Sequence, residues 1–512
     1  MNAATSREPS PPDESANQGP HDRDLRESVC PPAWRNPRPR DPYHLLIVGA
    51  GPAGLAAARA AAALGARVAL IERHLLGGVC LNYGCIPSKT LIRSARLYAD
   101  MRNASNVGVP APDNIRVDFA LAMERVRRIR ARVGRVDSAE RLSALGVDVF
   151  FGTARFTSGD SIDVDGTRLR FRKALIATGS RSLTPPVPGL AEAGYLTNET
   201  VFDLAAQPAS LLVIGGGPLG CELAQAFSRF GTRTVIAHNE PLFLPGEERD
   251  AAQILSEAMA RDGVEIHLNT EVVKVTVEGG KKRVDTINDG NVAAIVVDHI
   301  LTGIGRAPAV EGLGLDAAGV ACDAEFGIRV DDFLRTTNRR IYAAGDVCLE
   351  HKFTDMADVS ARMVVRNALC FGRRRVSALT IPWCTYTDPE IAHVGIYVRQ
   401  ARRRGIPIKT FTVPMHAVDR AIADGEEDGF VKIHVREGTD KILGATVVAR
   451  HAGEMINDLS LAMVAGIGLD TVAHVIHAYP TQAEAIKRAA EACLQTRRSS
   501  FVRGLLRRWV GR

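Results

Sequence analysis

The chain has 512 residues, a formal charge of +6, and a composition that is 46% hydrophobic and 24% charged. That length suits about three domains, and without a run of about 18 apolar residues it offers no transmembrane helix. The charge is no nucleic-acid footprint, because residues 497–512 carry six arginines and no acid, which equals the whole excess.

Residues 1–42 are rich in proline, serine and charge and lack the apolar stretch of a secretory signal, so they read as the disordered leader of a cytoplasmic protein. The nine cysteines form no scaffold of bridges, which suits a reducing compartment. "HLLIVGAGPAG" then gives an apolar strand, the turn Gly49-x-Gly51-x-x-Gly54 and an alanine-rich helix. The first glycine permits the tight turn, the second lets backbone approach a pyrophosphate, and the third packs helix on strand. The helix N-terminus adds free N–H groups. The next strand ends at Glu72, a carboxylate suited to the hydroxyls of an adenosine ribose.

"GGVCLNYGCIPSKTL" follows, with Cys80 and Cys85 five positions apart. The spacing is too wide for a C-x2-C zinc knuckle and too close to staple a large domain. A metal clip, a structural bridge and a redox pair all stay open on spacing alone. The strand–turn–helix pattern recurs in "SLLVIGGGPLGCELAQAFSRFGTRTVIAHNE", with Gly215, Gly217 and Gly220. Two such units imply two dinucleotides, and hydride passing from nicotinamide to flavin is the economical reason to hold both. In the second unit His238 and Asn239 stand where an acid would select NADH, which leans toward NADPH; Arg233 is poorly placed for a phosphate ligand. "ALIATGS", "HILTGIGRAPAVEGLGL" and "IYAAGDV" read as buried strands ending in glycine turns, the last placing Asp346 near a cofactor. From residue 379 short β-rich runs followed by helices indicate a separate α+β domain. In the tail, Phe501, Leu505 and Trp509 recur every four positions among arginines. This basic amphipathic helix suits either peripheral contact with an anionic membrane or docking on its own body or a partner.

In order along the chain, the cysteine stretch, "ATGS", "GIGRAP", "YAAGD" and "YTDPEIAHVG" resemble the flavoprotein disulfide reductases, the class I pyridine nucleotide-disulfide oxidoreductases. The likeness runs from about residue 43 to 490 and is strongest to mercuric-reductase-like members without an N-terminal metal-binding domain. It implies an α/β fold with two Rossmann-like domains, for FAD and NAD(P), and a C-terminal α+β dimerisation domain. The implied division is a leader over 1–42, FAD-binding parts over 43–195 and 307–378, and an NAD(P)-binding part over 196–306. A dimerisation part over 379–490 and a tail over 491–512 complete it.

The resemblance also implies roles. Cys80 is the interchange thiol facing the acceptor, and Cys85 the thiolate against the flavin. Lys89 lies near the flavin with Glu222 as its partner, Asp346 holds the ribityl chain, and Gly179 and Gly305 line cofactor sites. No structural metal is implied; Cys80 and Cys85 are transient ligands of a substrate metal.

One departure bears on the acceptor. Disulfide-reducing members end in His-x-His-Pro-Thr-x-x-Glu, the second histidine pairing with the glutamate in the partner subunit's active site. Here the run is His477-Ala478-Tyr479-Pro480-Thr481-Gln482-Ala483-Glu484. A phenol of pKa ~10 does not exchange a thiol proton near neutrality as an imidazole of ~6.5 does. A soft metal ion held by thiolates has no such need, and mercuric reductase resembles this chain in carrying tyrosine there. That enzyme also uses a Cys-Cys pair near its C-terminus, where this chain has only Cys493. The expectation is a homodimeric FAD enzyme taking electrons from NAD(P)H and passing them through Cys80–Cys85 to an Hg(II)-type ion or other small acceptor. The rivals are a dihydrolipoyl dehydrogenase or other disulfide reductase and, from another class, a non-catalytic flavin redox sensor or metal-binding protein.

Overall fold

The computed structural model describes residues 19–511. Its first sheet is built on the strand Tyr43–Val48, which pairs in parallel with Val68–Glu72 on one side and Thr167–Ile176 on the other. Val147–Phe151 extends one edge, and the short strand Ile341–Ala343 lies along Thr167–Ile176. The central strands are buried on both faces, which is why they read as continuous apolar runs. Thr167–Ile176 is ten residues long, and its outer half instead forms an antiparallel ladder with Ser161–Val164 and Ala154–Ser158.

The second unit is inserted between Thr167–Ile176 and Ile341–Ala343. It is a parallel sheet of Val264–His267, Arg233–Ala237, Ser210–Ile214 and His299–Thr302. A three-stranded antiparallel sheet over Thr270–Val297 lies beside it. The chain leaves and re-enters the first unit through one small ladder, Ser180–Ser182 against Arg306–Pro308. The C-terminal part is a five-stranded antiparallel sheet in the order Pro382–Thr385, Glu390–Gly395, Ile442–Ala449, Phe430–Arg436, Ile408–Pro414. The helices Ala452–Ala465 and Glu484–Val510 cover it.

Two expectations need correction. The leader is not disordered over Pro20–Val29: it is a ten-residue helix opening on a proline, with Leu25 and Val29 in the core. Its last carbonyl accepts from Leu76 N (3.1 Å), and Asp22 takes a hydrogen bond from Arg130 (3.0 Å). Beyond it, Asn36 bonds both the N–H and the carbonyl of Phe151, closing part of the edge of the first sheet. Composition hid a single amphipathic helix whose two core residues stand four apart. Residues 1–18, the rest of the leader, lie outside the described residues. Nor does the tail begin a new element: Glu484–Val510 is one helix, so residue 491 falls inside it. Near its end Leu505 and Trp509 are exposed, 59% and 79%, while the Phe501 side chain lies outside the described residues. Among the described residues no helix is long and apolar enough to cross a membrane.

Candidate active site

The first glycine turn is closed by contact. A Cβ at Gly54 would lie 1.8 Å from the Gly49 carbonyl oxygen, and Gly49 itself has φ +98°, so neither position admits a side chain without strain. Gly51 caps the helix Pro52–Ala63, and the Glu72 carboxylate accepts from Ala50 N at 2.7 Å and His74 N at 2.9 Å. The cysteine segment starts on this turn. Gly77 N donates to the Ala50 carbonyl (2.9 Å), and a Cβ on Gly78 would meet Gly51 Cα at 2.7 Å.

Cys80 lies in the short helix Gly78–Tyr83, and Cys85 is the first residue of the eighteen-residue helix Cys85–Arg102. Both are free thiols in the structure. Thiols at helix N-termini ionise readily, and a second N-terminus arrives here: Thr354, first residue of Thr354–Leu369, sets its hydroxyl 3.3 Å from Cys85 Sγ. A hydrogen bond from Cys80, assisted by Thr354 and the Lys89 charge, outweighs burial and lowers the Cys85 thiol to about 6. The same bond, with burial, raises Cys80. Cys85 is therefore the thiolate of the pair and Cys80 the sulfur that keeps its proton.

Lys89, one turn further along, meets Glu222 at 2.7 Å. Burial opposes its charge, but the Glu222 carboxylate restores it and leaves the ammonium above its usual range. Glu222 is 4% exposed, and its other oxygen accepts from Tyr386 N at 2.9 Å, while the ammonium lies 4.6 Å from the Tyr386 ring centre. The two helices carrying the ion pair, Cys85–Arg102 and Pro218–Arg229, pack against each other.

Asp346 follows the strand Ile341–Ala343 and accepts from Ser180 Oγ at 2.6 Å. Arg306 donates to that hydroxyl (2.8 Å), to the Ser180 carbonyl (2.7 Å) and to Asn198 (3.3 Å), and Asn198 reaches the Tyr83 carbonyl (3.1 Å). The chain crossover thus ties Asp346 to the cysteine segment. Gly179 and Gly305 flank this crossover with φ of +74° and +123°, and nothing lies within 4 Å of a Cβ placed on Gly179. In the second turn Gly217 caps Pro218–Arg229, and a Cβ on Gly220 would lie 2.4 Å from the Gly215 carbonyl oxygen. Arg233 begins its strand paired with Glu265 (3.0 Å).

Cys80, Cys85, Lys89 and Glu222 are thus gathered within one protomer, whereas Tyr479 and Glu484 stand elsewhere. Tyr479 is 70% exposed and donates to Asp419 at 2.9 Å, a bond that raises the phenol above its ordinary range. Glu484 gives one oxygen to Arg488 (2.8 Å), and its other oxygen is buried with no partner. Tyr479 and Glu484 make no hydrogen bond to each other among the described residues. Sequence reasoning did not reach Thr354 or Asn198, and gave no role to Ser180, which ends the quoted "ATGS", or to Tyr386, which opens "YTDPEIAHVG". Arg306 stands inside the quoted "GIGRAP" but received no role, although an arginine between two glycine turns was a usable signal.

The chain matches the family model described as pyridine nucleotide-disulphide oxidoreductase over residues 43–369, and that family's dimerisation domain over 381–490. It is 32% identical to a mercuric reductase of Bacillus cereus, covering 87% of this chain and 71% of that protein. It is 34% identical to a dihydrolipoyl dehydrogenase of Geobacillus stearothermophilus, covering 88% and 96%. Among solved structures, the Cu(II) complex of the HOCl-induced flavoprotein disulfide reductase RclA from Escherichia coli matches with a TM-score of 0.80 at 30% identity, over 88% of this chain and 99% of that one. LpdA from Mycobacterium tuberculosis matches with a TM-score of 0.81 at 28% identity, over 88% and 99%.

Proposed function

Because the chain belongs to the pyridine nucleotide-disulphide oxidoreductase family, we propose that it reduces a thiolate-bound metal ion of the Hg(II) type, or another small acceptor, with electrons from NAD(P)H passed through Cys80 and Cys85. The family uses FAD and NAD(P)H, and the match to its dimerisation domain supports a homodimer. The residues present fit the flavin nucleotide. Gly179 leaves open space where a side chain would stand, a Cβ on Gly51 would meet only Gly78 Cα at an ordinary contact distance of 3.8 Å, and the Glu72 carboxylate ends the strand beside the turn. When bound, the flavin supplies hydride acceptance from nicotinamide and transfer of an electron pair to sulfur.

The protein's part is then specific. Cys85, a thiolate at neutral pH, is held for the flavin side by Cys80, Thr354 and Lys89. Cys80 keeps its proton until the acceptor arrives, and exchanging that proton for a soft cation frees both sulfurs as ligands. Reduction of the disulfide to the dithiol takes up two electrons and two protons. Return to the disulfide leaves two electrons on the metal ion, the stoichiometry of Hg(II) to the element.

The observation that favours a metal over an organic disulfide is at Tyr479. A disulfide acceptor leaves as a thiolate that needs a proton, and general acid–base help with it is worth about 10²–10⁴-fold. The hydroxyl at the family's catalytic position is a phenol engaged by Asp419 and raised out of the useful range, while Glu484 is engaged by Arg488. Similarity to mercuric reductases and to a reductase solved with Cu(II) is compatible with a metal, and similarity to dihydrolipoyl dehydrogenases with a disulfide, so the choice rests on Tyr479.

The test is anaerobic reduction with NADPH and with NADH, followed by steady-state turnover with Hg(II), Cu(II), lipoamide, glutathione disulfide and a quinone. Metal-dependent consumption of nicotinamide well above that with either disulfide is expected. Faster turnover of lipoamide or glutathione disulfide overturns the metal reading, and bleaching without turnover makes the protein a sensor.

A further inference from the structure

The sheet of the first unit has two ends. The carboxyl ends of its parallel strands lead to the glycine turn, Glu72 and Asp346, the end at which such sheets take nucleotides. The opposite end carries a row of cations. Arg67 and Arg172 each precede a residue paired with Leu45, namely Val68 and Lys173, and Arg339 and Arg340 lead into Ile341, which pairs with Ala174. Strands about 4.8 Å apart spread the row from Arg67 to Arg339 over about 14 Å. These charges are close enough to feel one another. Burial and then the charges of Arg340 and Arg335 lower Lys173, and burial and then those of Arg67 and Arg172 lower His44.

The row continues onto the loop after the helix Thr354–Leu369. Arg335 and Arg375 lie over the Phe333 ring, 5.0 and 5.5 Å from its centre. The Asn367 side chain bonds the N–H and the carbonyl of Arg374, each at 3.0 Å, and the Phe333 carbonyl at 3.2 Å. Cys370 N and Gly372 N both donate to the Arg366 carbonyl, at 3.1 and 2.9 Å. This framework holds Phe371 98% exposed at φ +54°, a backbone state that costs a phenylalanine free energy. A ring kept wholly in water by a fixed, strained loop serves no packing within its own chain.

Few carboxylates answer these cations. Asp331 holds Arg335 at 2.7 Å, Asp332 reaches Arg375 at 3.9 Å, and Asp160 reaches Arg340 at 3.7 Å. Arg67, Arg172, Lys173, Arg339, Arg373 and Arg374 form no ion pair among the described residues, and all but Lys173 are exposed. Outside residues 497–512 the chain is formally neutral, so this edge is charge set apart and not a general excess. The phosphates of a flavin nucleotide belong at the other end of the sheet and do not explain it.

We propose that this edge is a docking surface for an acidic protein segment, whose carboxylates meet Arg67, Arg172, Arg339 and Arg374 and whose apolar side chains close over Phe371. Guanidinium groups grip carboxylates with paired hydrogen bonds and are the favoured cations of protein interfaces, where an aromatic anchor ringed by polar groups carries much of the energy. A bilayer would find one ring to insert, a weak anchor. A nucleic-acid strand would find one ring to stack on, where such sites use several. The surface lies across the sheet from the nucleotide turn, so the docking is independent of the acceptor proposed above.

The test is fluorescence anisotropy of a labelled peptide of repeated Glu-Glu-Leu titrated with the FAD-loaded enzyme. A Lys-Lys-Leu peptide, labelled single-stranded DNA and co-sedimentation with phosphatidylglycerol vesicles are the other arms. The acidic peptide should bind and the basic one should not. Arg172→Glu together with Arg339→Glu should weaken binding by about tenfold or more, and Phe371→Ser by a similar factor, the size of an interface hot spot. Arg402→Glu with Arg403→Glu, an exposed pair on the C-terminal part, is the charge control and should leave binding unchanged. All variants should keep their flavin absorbance and its bleaching by NAD(P)H, since none touches the nucleotide turns or the thiols. No binding of the acidic peptide, an equal loss in the Arg402 and Arg403 control, or binding that survives either the reversal or Phe371→Ser overturns the proposal. So does binding of vesicles or DNA through the same arginines as tight as that of the peptide, or a change of oligomeric state on reversal by light scattering, which would make the edge a subunit contact.

Discussion

Around Cys80 and Cys85 the polar groups that matter are satisfied within one chain: Cys85 has Thr354 and Cys80, Lys89 has Glu222, and Glu222 also has Tyr386 N. Around Tyr479 the opposite holds. Val475, Ile476 and Tyr479 are 49%, 92% and 70% exposed, and one oxygen of Glu484 is buried without a partner. The thiol centre is thus complete in a protomer, while the C-terminal segment presents apolar surface and holds an unspent acceptor beneath it. Such a face suits burial against a second copy, in line with the match to the family's dimerisation domain. On the proposed reading the electron-carrying half of the chemistry belongs to one subunit, and the acceptor-facing half is lent by the other.

The largest effect should come from the complete half. Cys85→Ser should depress acceptor turnover by about a thousandfold or more, since removal of a reacting nucleophile is rarely compensated. Flavin content should be unchanged, and retained turnover would remove the pair from the route. The next effect belongs to the lent half. Tyr479→His restores an imidazole and should raise lipoamide turnover by about tenfold to a hundredfold while leaving metal turnover nearly as it was. A lipoamide rate that does not move would show that Tyr479 is not what limits disulfide acceptors.

A smaller effect separates scaffold from chemistry. A Cβ built on Gly134 would lie 2.6 Å from Leu25 and 3.7 Å from Leu81, which neighbours Cys80, so the N-terminal helix packs close to the cysteine segment. Arg130 joins them again, donating to the Asn82 carbonyl and to Asp22, each at 3.0 Å. Leu25→Ala should lower stability by about 2–3 kcal/mol, as buried leucine truncations do, measured by denaturant unfolding followed through flavin fluorescence. An unchanged midpoint would mean that the helix is an ornament of the thiol centre and not a support.

What the sequence disclosed follows the same division. Strands buried on both faces and glycine turns that exclude side chains leave strong local patterns, so both nucleotide units and the Cys80–Cys85 stretch could be read directly. The Lys89–Glu222 pair came from family likeness, and the 2.7 Å contact shows the two residues meeting across 133 positions. Thr354 could not be read at all: nothing local marks a threonine at a helix start as the neighbour of a thiol 269 residues away. The helix Pro20–Val29 was hidden because proline and charge dominate its surroundings while only Leu25 and Val29 carry the packing. Tyr479 was legible as a departure, but its bond to Asp419 needed the fold.

The finest distinction within the thiol centre is how the Cys85 charge is held. Its thiolate is present above about pH 6 and is lost as pH falls through that value, so alkylation of the NADPH-reduced enzyme by iodoacetamide should rise to half its maximum near pH 6. Lys89→Met removes a cation and leaves the Glu222 carboxylate unpaired; both changes disfavour the thiolate, so the midpoint should move upward by about one unit, equivalent to ~1.4 kcal/mol. Cys80→Ala removes the larger contribution and should move it further. At pH well above either midpoint the three proteins should react alike, because there the thiolate needs no help. A midpoint unmoved by Lys89→Met would place the whole stabilisation in the Cys80 bond and the two helix N-termini, and the buried ion pair would then serve to hold the helices Cys85–Arg102 and Pro218–Arg229 together rather than to charge the sulfur.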